Sequence, residues 1–275
     1  MATIVAGIGV PHTPAFAANV TAGDPDDETA VAYARIAEQL DAVDADIVVM
    51  FSTDHLNTFF LDNYPALSVG VATQTSGPND GTPGLRHVEL PVCRDLAESI
   101  RIDTTIADFD VSQTQEFTLD HSWLVPLQFI RPAADLAIVP IFVNSHIPPI
   151  PTARRALSLG RTVGATIASW PEDARVAVLG SGSFSLDVGG HYIEPQKIFG
   201  VPAPEWVGQV ARFLEAGDHE SLVANASRAQ MAAAGNVGGE LLNWIAMLGA
   251  IGGGAPTTLD IHTQFGHGYG FWRLA

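Results

Sequence analysis

Short apolar runs alternate with longer amphipathic segments along most of the chain. Runs rich in Val, Ile and Leu predict buried strands at residues 3–10, 46–55, 66–72, 136–145 and 175–182. Apolar residues at helical spacing predict helices at residues 23–46, 87–102 after Pro91, 153–170, 204–218 and 236–251. Strands that alternate with helices in this way predict an α/β fold, with a mixed sheet covered by helices on both faces.

Two segments lie outside this alternation. Residues 74–86 (QTSGPNDGTPGLR) are rich in glycine and proline and predict a long loop. Residues 262–275 (HTQFGHGYGFWRLA) are aromatic and glycine-rich, and we expect them to pack irregularly. No repeat, low-complexity tract or linker interrupts the chain, so we expect one domain over residues 1–275.

Composition narrows the function classes. The chain has 275 residues, 47% of them hydrophobic, and a net charge of −17 with only 13 basic residues, which argues against a nucleic-acid partner. No apolar run is long enough to span a bilayer, and the start MATIVAGIGVPHTP lacks a basic region. We therefore expect a cytoplasmic protein without a membrane partner. The single cysteine, Cys93, excludes an internal disulfide and a zinc site built on cysteine pairs.

Polar side chains with metal-binding chemistry follow several predicted strands. His12 follows the first strand, His55 the second, and residues 144–146 (Asn-Ser-His) follow the strand at 136–145. Ligands of open α/β sheets bind beyond the carboxyl ends of the strands, so these side chains are expected at one edge. Glu240 begins an otherwise apolar helix and needs a partner there, because a buried unpaired charge is costly.

Two histidines and one carboxylate form the ligand set of non-haem Fe(II) oxygenases. The same set also binds catalytic zinc. A histidine at a strand end is more often a hydrogen-bonded structural residue, and Glu240 also fits a helix cap. From the residues alone, these alternatives remain open.

Six stretches together resemble one family, in its order and over nearly the whole chain. They are GVPHTP (9–14), STDHLNTFFLDNYPALSVGVA (52–72), LDHSWLVPLQFI (119–130), VPIFVNSHIPPIPTARRALSLGRTVG (139–164), LGSGSFS (179–185) and GGELLNWIAMLGAI (238–251). The chain resembles the class III extradiol ring-cleavage dioxygenases, the family of the protocatechuate 4,5-dioxygenase β subunit. The resemblance implies a three-layer α/β sandwich.

The resemblance also implies a reaction and its residues. His12, His55 and Glu240 would bind Fe(II), and the enzyme would cleave a small catechol-like or aminophenol-like ring with O₂. His121 would line the pocket and assist proton transfer or O₂ handling, with Asp120 as its acidic neighbour. Without the resemblance, Asp120 and His121 fit a turn with a structural histidine.

One stretch departs from the family. The segment GSGSFSLDVGG (180–190) carries Leu186 where the family usually has its acid/base histidine. We expect His121, Asp187 or His191 to transfer the proton instead, or the substrate to need less help with proton transfer. The alternative is an iron-binding relative with a different reaction, or an accessory subunit of a heteromeric dioxygenase. Because all three expected ligands are present, we favour an active iron enzyme with altered acid/base chemistry.

Substrate and assembly are less well defined by the sequence. None of the arginines lies in a motif that lines the expected pocket, so a carboxylated catechol is not specially supported. We expect a homo-oligomer and leave open a small second subunit. The remaining histidines are expected to be structural or exposed, with His267 also a candidate for the pocket: His87, His146, His219, His262 and His267.

Overall fold

The computed structural model describes residues 1–21, 28–189 and 199–275. Its strands are β1 (Thr3–Val10), β2 (Ile47–Ser52), β3 (Leu67–Gly70), β4 (Gln74–Gly77), β5 (Val88–Pro91), β6 (Ser112–Thr114), β7 (Ala137–Val143), β8 (Arg175–Ser181), β9 (Asp187–Val188), β10 (Phe199–Gly200), β11 (Thr258–His262) and β12 (His267–Arg273). Its helices are α1 (Ala15–Thr21), α2 (Glu28–Ala42), α3 (Arg94–Ile106), α4 (His121–Ile130), α5 (Ala153–Ser169), α6 (Pro204–Glu215), α7 (His219–Asn225), α8 (Arg228–Ala233) and α9 (Leu241–Ala250), with a 3-10 helix at Gly238–Glu240.

An eight-stranded mixed sheet forms the centre of the molecule. Its strand order is β11-β12-β1-β8-β2-β7-β3-β6. The four strands β1, β8, β2 and β7 run parallel to one another, whereas β12 and β3 flank them in antiparallel pairing. The α/β fold with a mixed sheet is therefore confirmed.

Both faces of the sheet are buried, which explains the nearly continuous apolar runs of its central strands. In β2, Val49 and Phe51 join one core, whereas Val48 and Met50 join the other. Helices α3, α5 and α9 cover the first face, and α2 and α4 cover the second. This is the three-layer sandwich that the resemblance implied.

One expectation about irregular segments holds only in part, since residues 78–86 form a loop, and the other is wrong. The expected loop at 74–86 begins with β4, which pairs with β5 in antiparallel register. The C-terminal segment is a regular hairpin of β11 and β12, and β12 pairs with β1 in the main sheet. Its glycines make room for neighbouring side chains, since a Cβ at Gly268 would lie 2.5 Å from Ile261 and one at Gly270 would lie 2.8 Å from Trp272.

Helix α4 was missing from the predicted elements. Seven of its ten residues are buried and the other three are half-buried, and Pro126 lies inside it. A helix that is apolar on all sides shows no amphipathic periodicity, so the pattern of polar positions did not indicate it. In the described part of the chain, no helix is long and apolar enough to cross a membrane. The expectation of a single domain stays a prediction.

Candidate functional site

The carboxyl ends of the central parallel strands open into a cavity of about 380 Å³. Parallel strands bring the residues that follow them to the same edge of a sheet, which is where open α/β folds bind ligands. The cavity is lined by four histidines, one carboxylate and mainly apolar or small side chains: His12, Thr13, Pro14, His55, His121, His146, Ile147, Ser183, Leu186, Val188, Asn236, Val237 and Glu240.

His12 follows β1 and is buried. Its Nδ1 lies 2.8 Å from the hydroxyl oxygen of Ser181, at the end of β8. That hydroxyl donates its own hydrogen to the carbonyl of Ser122 (3.1 Å), so it accepts the hydrogen of Nδ1. In the neutral ring this leaves Nε2 with a lone pair that a metal ion can use. Nε2 lies 3.0 Å from Oε1 of Glu240, and when the ring carries both hydrogens it donates to that carboxylate.

His55 follows β2 and is oriented by Asp120. One oxygen of Asp120 accepts the backbone N–H of His55 (2.8 Å) and lies 3.2 Å from its Nδ1. The other oxygen caps α4 by accepting the N–H of Ser122 at 2.9 Å. Burial would raise the pKa of Asp120, but the hydrogen bonds from His55 and Ser122 hold that pKa well below its usual range. The Nε2 atom of His55 lies 3.4 Å from Oε1 of Glu240.

Glu240 is buried at the end of the 3-10 helix that precedes α9. Its side chain makes no capping hydrogen bond to α9, which removes support for the helix-cap alternative. Oε2 instead accepts the N–H of Ser183 at 2.9 Å. Burial would raise the pKa of Glu240, but His12 and His55 hold it well below its usual range. A Cβ at Gly182, where φ is +154°, would lie 2.5 Å from the Cβ of Glu240, so this approach requires glycine.

His121 begins α4, and its ring stacks on that of His55 with centroids 4.4 Å apart. Its Nδ1 is hydrogen-bonded to Asp80, which also accepts its backbone N–H at 3.2 Å. Burial lowers the pKa of His121, which favours the neutral ring. Burial would raise the pKa of Asp80, but the hydrogen bonds from His121 lower it to about 2. The neutral ring therefore has Nε2 free as a proton acceptor.

Asp80 was not predicted from the sequence, and His146 was expected at this edge of the sheet but without a role in the site. Asp80 lies in the segment 74–86, and no motif pointed to it. His146 was expected to be structural or exposed, but it lines the cavity, with its ring centroid 4.6 Å from that of His55. Burial lowers the pKa of His146 to about 4. Its position directly after β7 was the available signal, since His12 and His55 also follow central strands.

The segment in which we expected a departure from the family contributes to the cavity lining. Leu186 is buried and lines the cavity. Asp187 is also buried but does not line the cavity, and its Oδ1 accepts the N–H of Asn236 at 3.1 Å. His191 lies outside the described residues.

The donor set fits a metal ion. Ligand atoms of His12, His55 and His121 lie within 4.8 Å of one another, as do those of His55, His146 and Glu240. Neutral imidazole and carboxylate groups suit divalent transition metals. Histidine ligands are normally oriented by a hydrogen bond at the other ring nitrogen, and Ser181 and Asp120 provide that bond here.

Comparison with known proteins identifies the family of this fold and site. Residues 6–271 match the family described as the catalytic LigB subunit of aromatic ring-opening dioxygenase. The chain belongs to this family. The match includes the expected ligands and His121, as well as the segment with Leu186.

Several LigB relatives carry the name 2,3-dihydroxyphenylpropionate/2,3-dihydroxicinnamic acid 1,2-dioxygenase. The chain is 35% identical to the one from Photorhabdus laumondii over 156 residues, which are 56% of this chain and 47% of the relative. It is 33% identical to that of Cupriavidus necator over 219 residues, or 77% and 64%. For Xanthobacter autotrophicus the identity is 32% over 234 residues, or 84% and 70%. In several of these relatives, the part that matches this chain is about half of the relative's length.

A crystal structure of an uncharacterized protein from Escherichia coli K12 shares the fold. The TM-score is 0.65, and the match covers 98% of this chain and 99% of the other. Because the sequence identity is only 15%, this likeness concerns the fold alone.

Proposed function

We propose that the chain is an Fe(II)-dependent extradiol dioxygenase, which opens the ring of a catechol-like or aminophenol-like substrate with O₂. The observation that carries the proposal is the convergence of His12, His55 and Glu240 at the cavity of a LigB-family fold. The names of the relatives, which are ring-cleaving 1,2-dioxygenases, support the reaction class.

In this proposal His12 and His55 bind the iron through Nε2, and Glu240 binds it through Oε1. The bound Fe(II) would supply a chelation site for the two ring oxygens and electron density for O₂. Ser181 and Asp120 fix the two imidazole rings, and Ser183 fixes the carboxylate, so the ligands need little rearrangement on binding.

The rest of the cavity orients the substrate and excludes water. Leu186, Val188 and Val237 give it apolar lining, and the four histidines and Glu240 give it polar lining. An aromatic ring with two adjacent oxygens matches this lining, with its apolar edge against the apolar residues and its oxygens toward the histidines.

His121 is the residue that we assign to proton transfer. Its hydrogen bond to Asp80 leaves Nε2 as the acceptor for a ring hydroxyl proton, and Asp80 stabilises the imidazolium that results. Leu186 cannot hold a proton, and Asp187 supports Asn236 from outside the cavity. A role for His191 stays a prediction, as do the homo-oligomer and the cytoplasmic location.

The proposal is tested by anaerobic reconstitution with Fe(II), followed by oxygen uptake with a panel of catechols and 2-aminophenols. We expect uptake by the wild type and its loss, together with the bound iron, in His12→Ala and Glu240→Gln. The control is His87→Ala, because His87 is exposed and lines no cavity described above. Unchanged iron content and oxygen uptake in both ligand variants would refute the assignment.

The second candidate is a LigB relative with a different reaction, or an accessory subunit. It is favoured by the presence of Leu186 where we expected the acid/base histidine. Leu186→His separates the two, with Leu186→Gln as a polar control without a titrating ring. Oxygen uptake by the wild type supports a dioxygenase whose proton chemistry does not need that histidine. Uptake that appears only in Leu186→His would support the second candidate.

A further inference from the structure

A second cavity, of about 390 Å³, lies next to the first. His146 and Asn236 line both cavities, so they stand at the junction. The position of Asn236 is fixed, because its side chain accepts the N–H of Val188 (2.9 Å) and donates to its carbonyl (2.7 Å). The rest of its lining includes Ile150, Arg228 and Ala232.

Arg228 is the one charged side chain among the described residues of this second lining. Its Nε donates to the carbonyl of Ile150 at 2.6 Å, which fixes the guanidinium at the cavity wall. Within the described ranges, no carboxylate forms an ion pair with it, and none lines this cavity. Two terminal nitrogens therefore remain for a planar anion such as a carboxylate.

The two cavities differ in charge as well as position. Among its described lining residues the first cavity has neither Arg nor Lys, and it contains Glu240. In a chain of net charge −17, an anionic group is repelled from most of the surface and needs a local cation. Arg228 provides that cation in the second cavity, beyond the junction. Because Arg228 does not line the first cavity, we expect that an anionic group attached directly to the ring would not reach it.

We propose that the second cavity is a subsite for the substituent of the ring, and that Arg228 binds an anionic group, a carboxylate, at the end of that substituent. The proposal rests on the proposed function, since the ring must occupy the first cavity. It predicts a substrate in which a short chain separates the ring from the carboxylate, with the chain passing His146 and Asn236.

The test is calorimetric binding to the Fe(II)-loaded protein without O₂. The probes are catechol, 3-(2,3-dihydroxyphenyl)propionate and its carboxamide, which has nearly the same shape but no charge. We expect the wild type to bind the acid about tenfold more tightly than the amide, as for hydrogen bonds to charged groups. Arg228→Met should bring this ratio close to one, and Arg228→Lys should retain part of it. Arg154→Met is the matched control, because Arg154 is exposed and lines neither cavity.

A second variant tests the cavity independently of the charge. Ala232 is exposed at the rim, so Ala232→Phe fills the second cavity with little risk to folding. We expect it to raise the Kd of the acid and of the amide relative to that of catechol.

The outcomes separate the two proposals. Equal binding of acid and amide by the wild type, or an equal loss of both in Arg228→Met, would overturn the role of Arg228. An unchanged relative Kd in Ala232→Phe would overturn the subsite. If the Fe(II)-loaded wild type binds none of the three compounds and takes up no oxygen with any catechol, the proposed function fails and the subsite with it.

Discussion

Each histidine that we assign to the site has one ring nitrogen held by a neighbour. Ser181 holds His12, Asp120 holds His55, and Asp80 holds His121. The sequence indicated the first two histidines because each follows an apolar strand. It did not indicate most of their partners, because Ser181 is 169 residues from His12 and only the fold brings them together.

Asp80 should act as a positioning residue for His121. Asp80→Ala removes the hydrogen bond at Nδ1, so the ring loses its fixed orientation and the charge that stabilises its protonated form. We expect kcat to fall about 10- to 100-fold with a smaller change in KM, in the range typical of residues that orient a functional histidine.

The pH profile of kcat distinguishes this role from a general loss of structure. We expect Asp80→Ala to shift the limb that reports the base, whereas Asp62→Ala, at an exposed loop position, should keep the wild-type profile. A loss of kcat with no shift in the profile would contradict the assignment.

His267 should make the stability of the protein depend on pH. It is fully buried beside His262 and Tyr269, and burial lowers its pKa from 6.5 to about 3. Between these values the unfolded chain binds a proton that the folded chain does not, so the free energy of unfolding falls as the pH falls. The largest slope that one such group contributes is about 1.4 kcal/mol per pH unit.

Urea unfolding at pH 7.5, 5.5 and 4.5 measures this effect. His267→Phe keeps a ring beside Phe16 and Phe265, and we expect it to flatten the decline below pH 6.5. His87→Phe, at an exposed position, should leave the wild-type slope. Identical slopes in wild type and His267→Phe would show that other groups cause the decline.

At the scale of elements, the strands whose two faces are both buried were the ones that the sequence predicted most clearly. The central strands are apolar on both faces and gave clear signals, as β2 shows with all six residues buried. The hairpin of β11 and β12 gave none, because its glycines suggested irregular backbone. Those glycines are needed for packing, and which side chains press against them depends on the tertiary structure.

Helices α5 and α9 approach so closely that glycine is required between them. A Cβ at Gly160 would lie 1.9 Å from the carbonyl oxygen of Ala246, and one at Gly164 would lie 2.2 Å from that of Ala250. Because Glu240 directly precedes α9, this contact also sets the position of a proposed ligand.

Gly160→Ala should therefore destabilise the protein, although alanine favours a helix by about 1 kcal/mol over glycine. The matched control is Gly208→Ala in α6, where an added Cβ meets nothing within 4 Å. We expect the free energy of unfolding in urea to fall in the first variant and to rise by up to about 1 kcal/mol in the second. A stabilised Gly160→Ala would show that the helices separate at little cost.

At the scale of the molecule, the proposed ligands join three separate parts of the chain. His12 follows β1, His55 follows β2, and Glu240 precedes α9. An ion that binds all three stabilises the folded state only, since the unfolded chain does not hold them together.

Anaerobic Fe(II) should accordingly raise the thermal unfolding midpoint. At about 100 times its Kd the ion contributes about 2.7 kcal/mol, a shift of several degrees for a protein of this size. Glu240→Gln should show a much smaller shift, and a chelator should return the wild type to its metal-free midpoint. An equal shift in wild type and Glu240→Gln would indicate binding elsewhere.

The place of β1 in the sheet has a consequence for synthesis on the ribosome. β1 lies between β8 and β12, pairing Thr3 with Arg175 and Ala6 with Arg273. At about 5–20 residues per second, roughly ten seconds or more separate the synthesis of β1 from that of its first neighbour. During that time the apolar residues of β1, which are buried in the folded protein, have no partner strand in the sheet. If the proposed site binds iron, the ion would find its full ligand set only after Glu240 has left the ribosome, so metal loading would be one of the last steps of maturation.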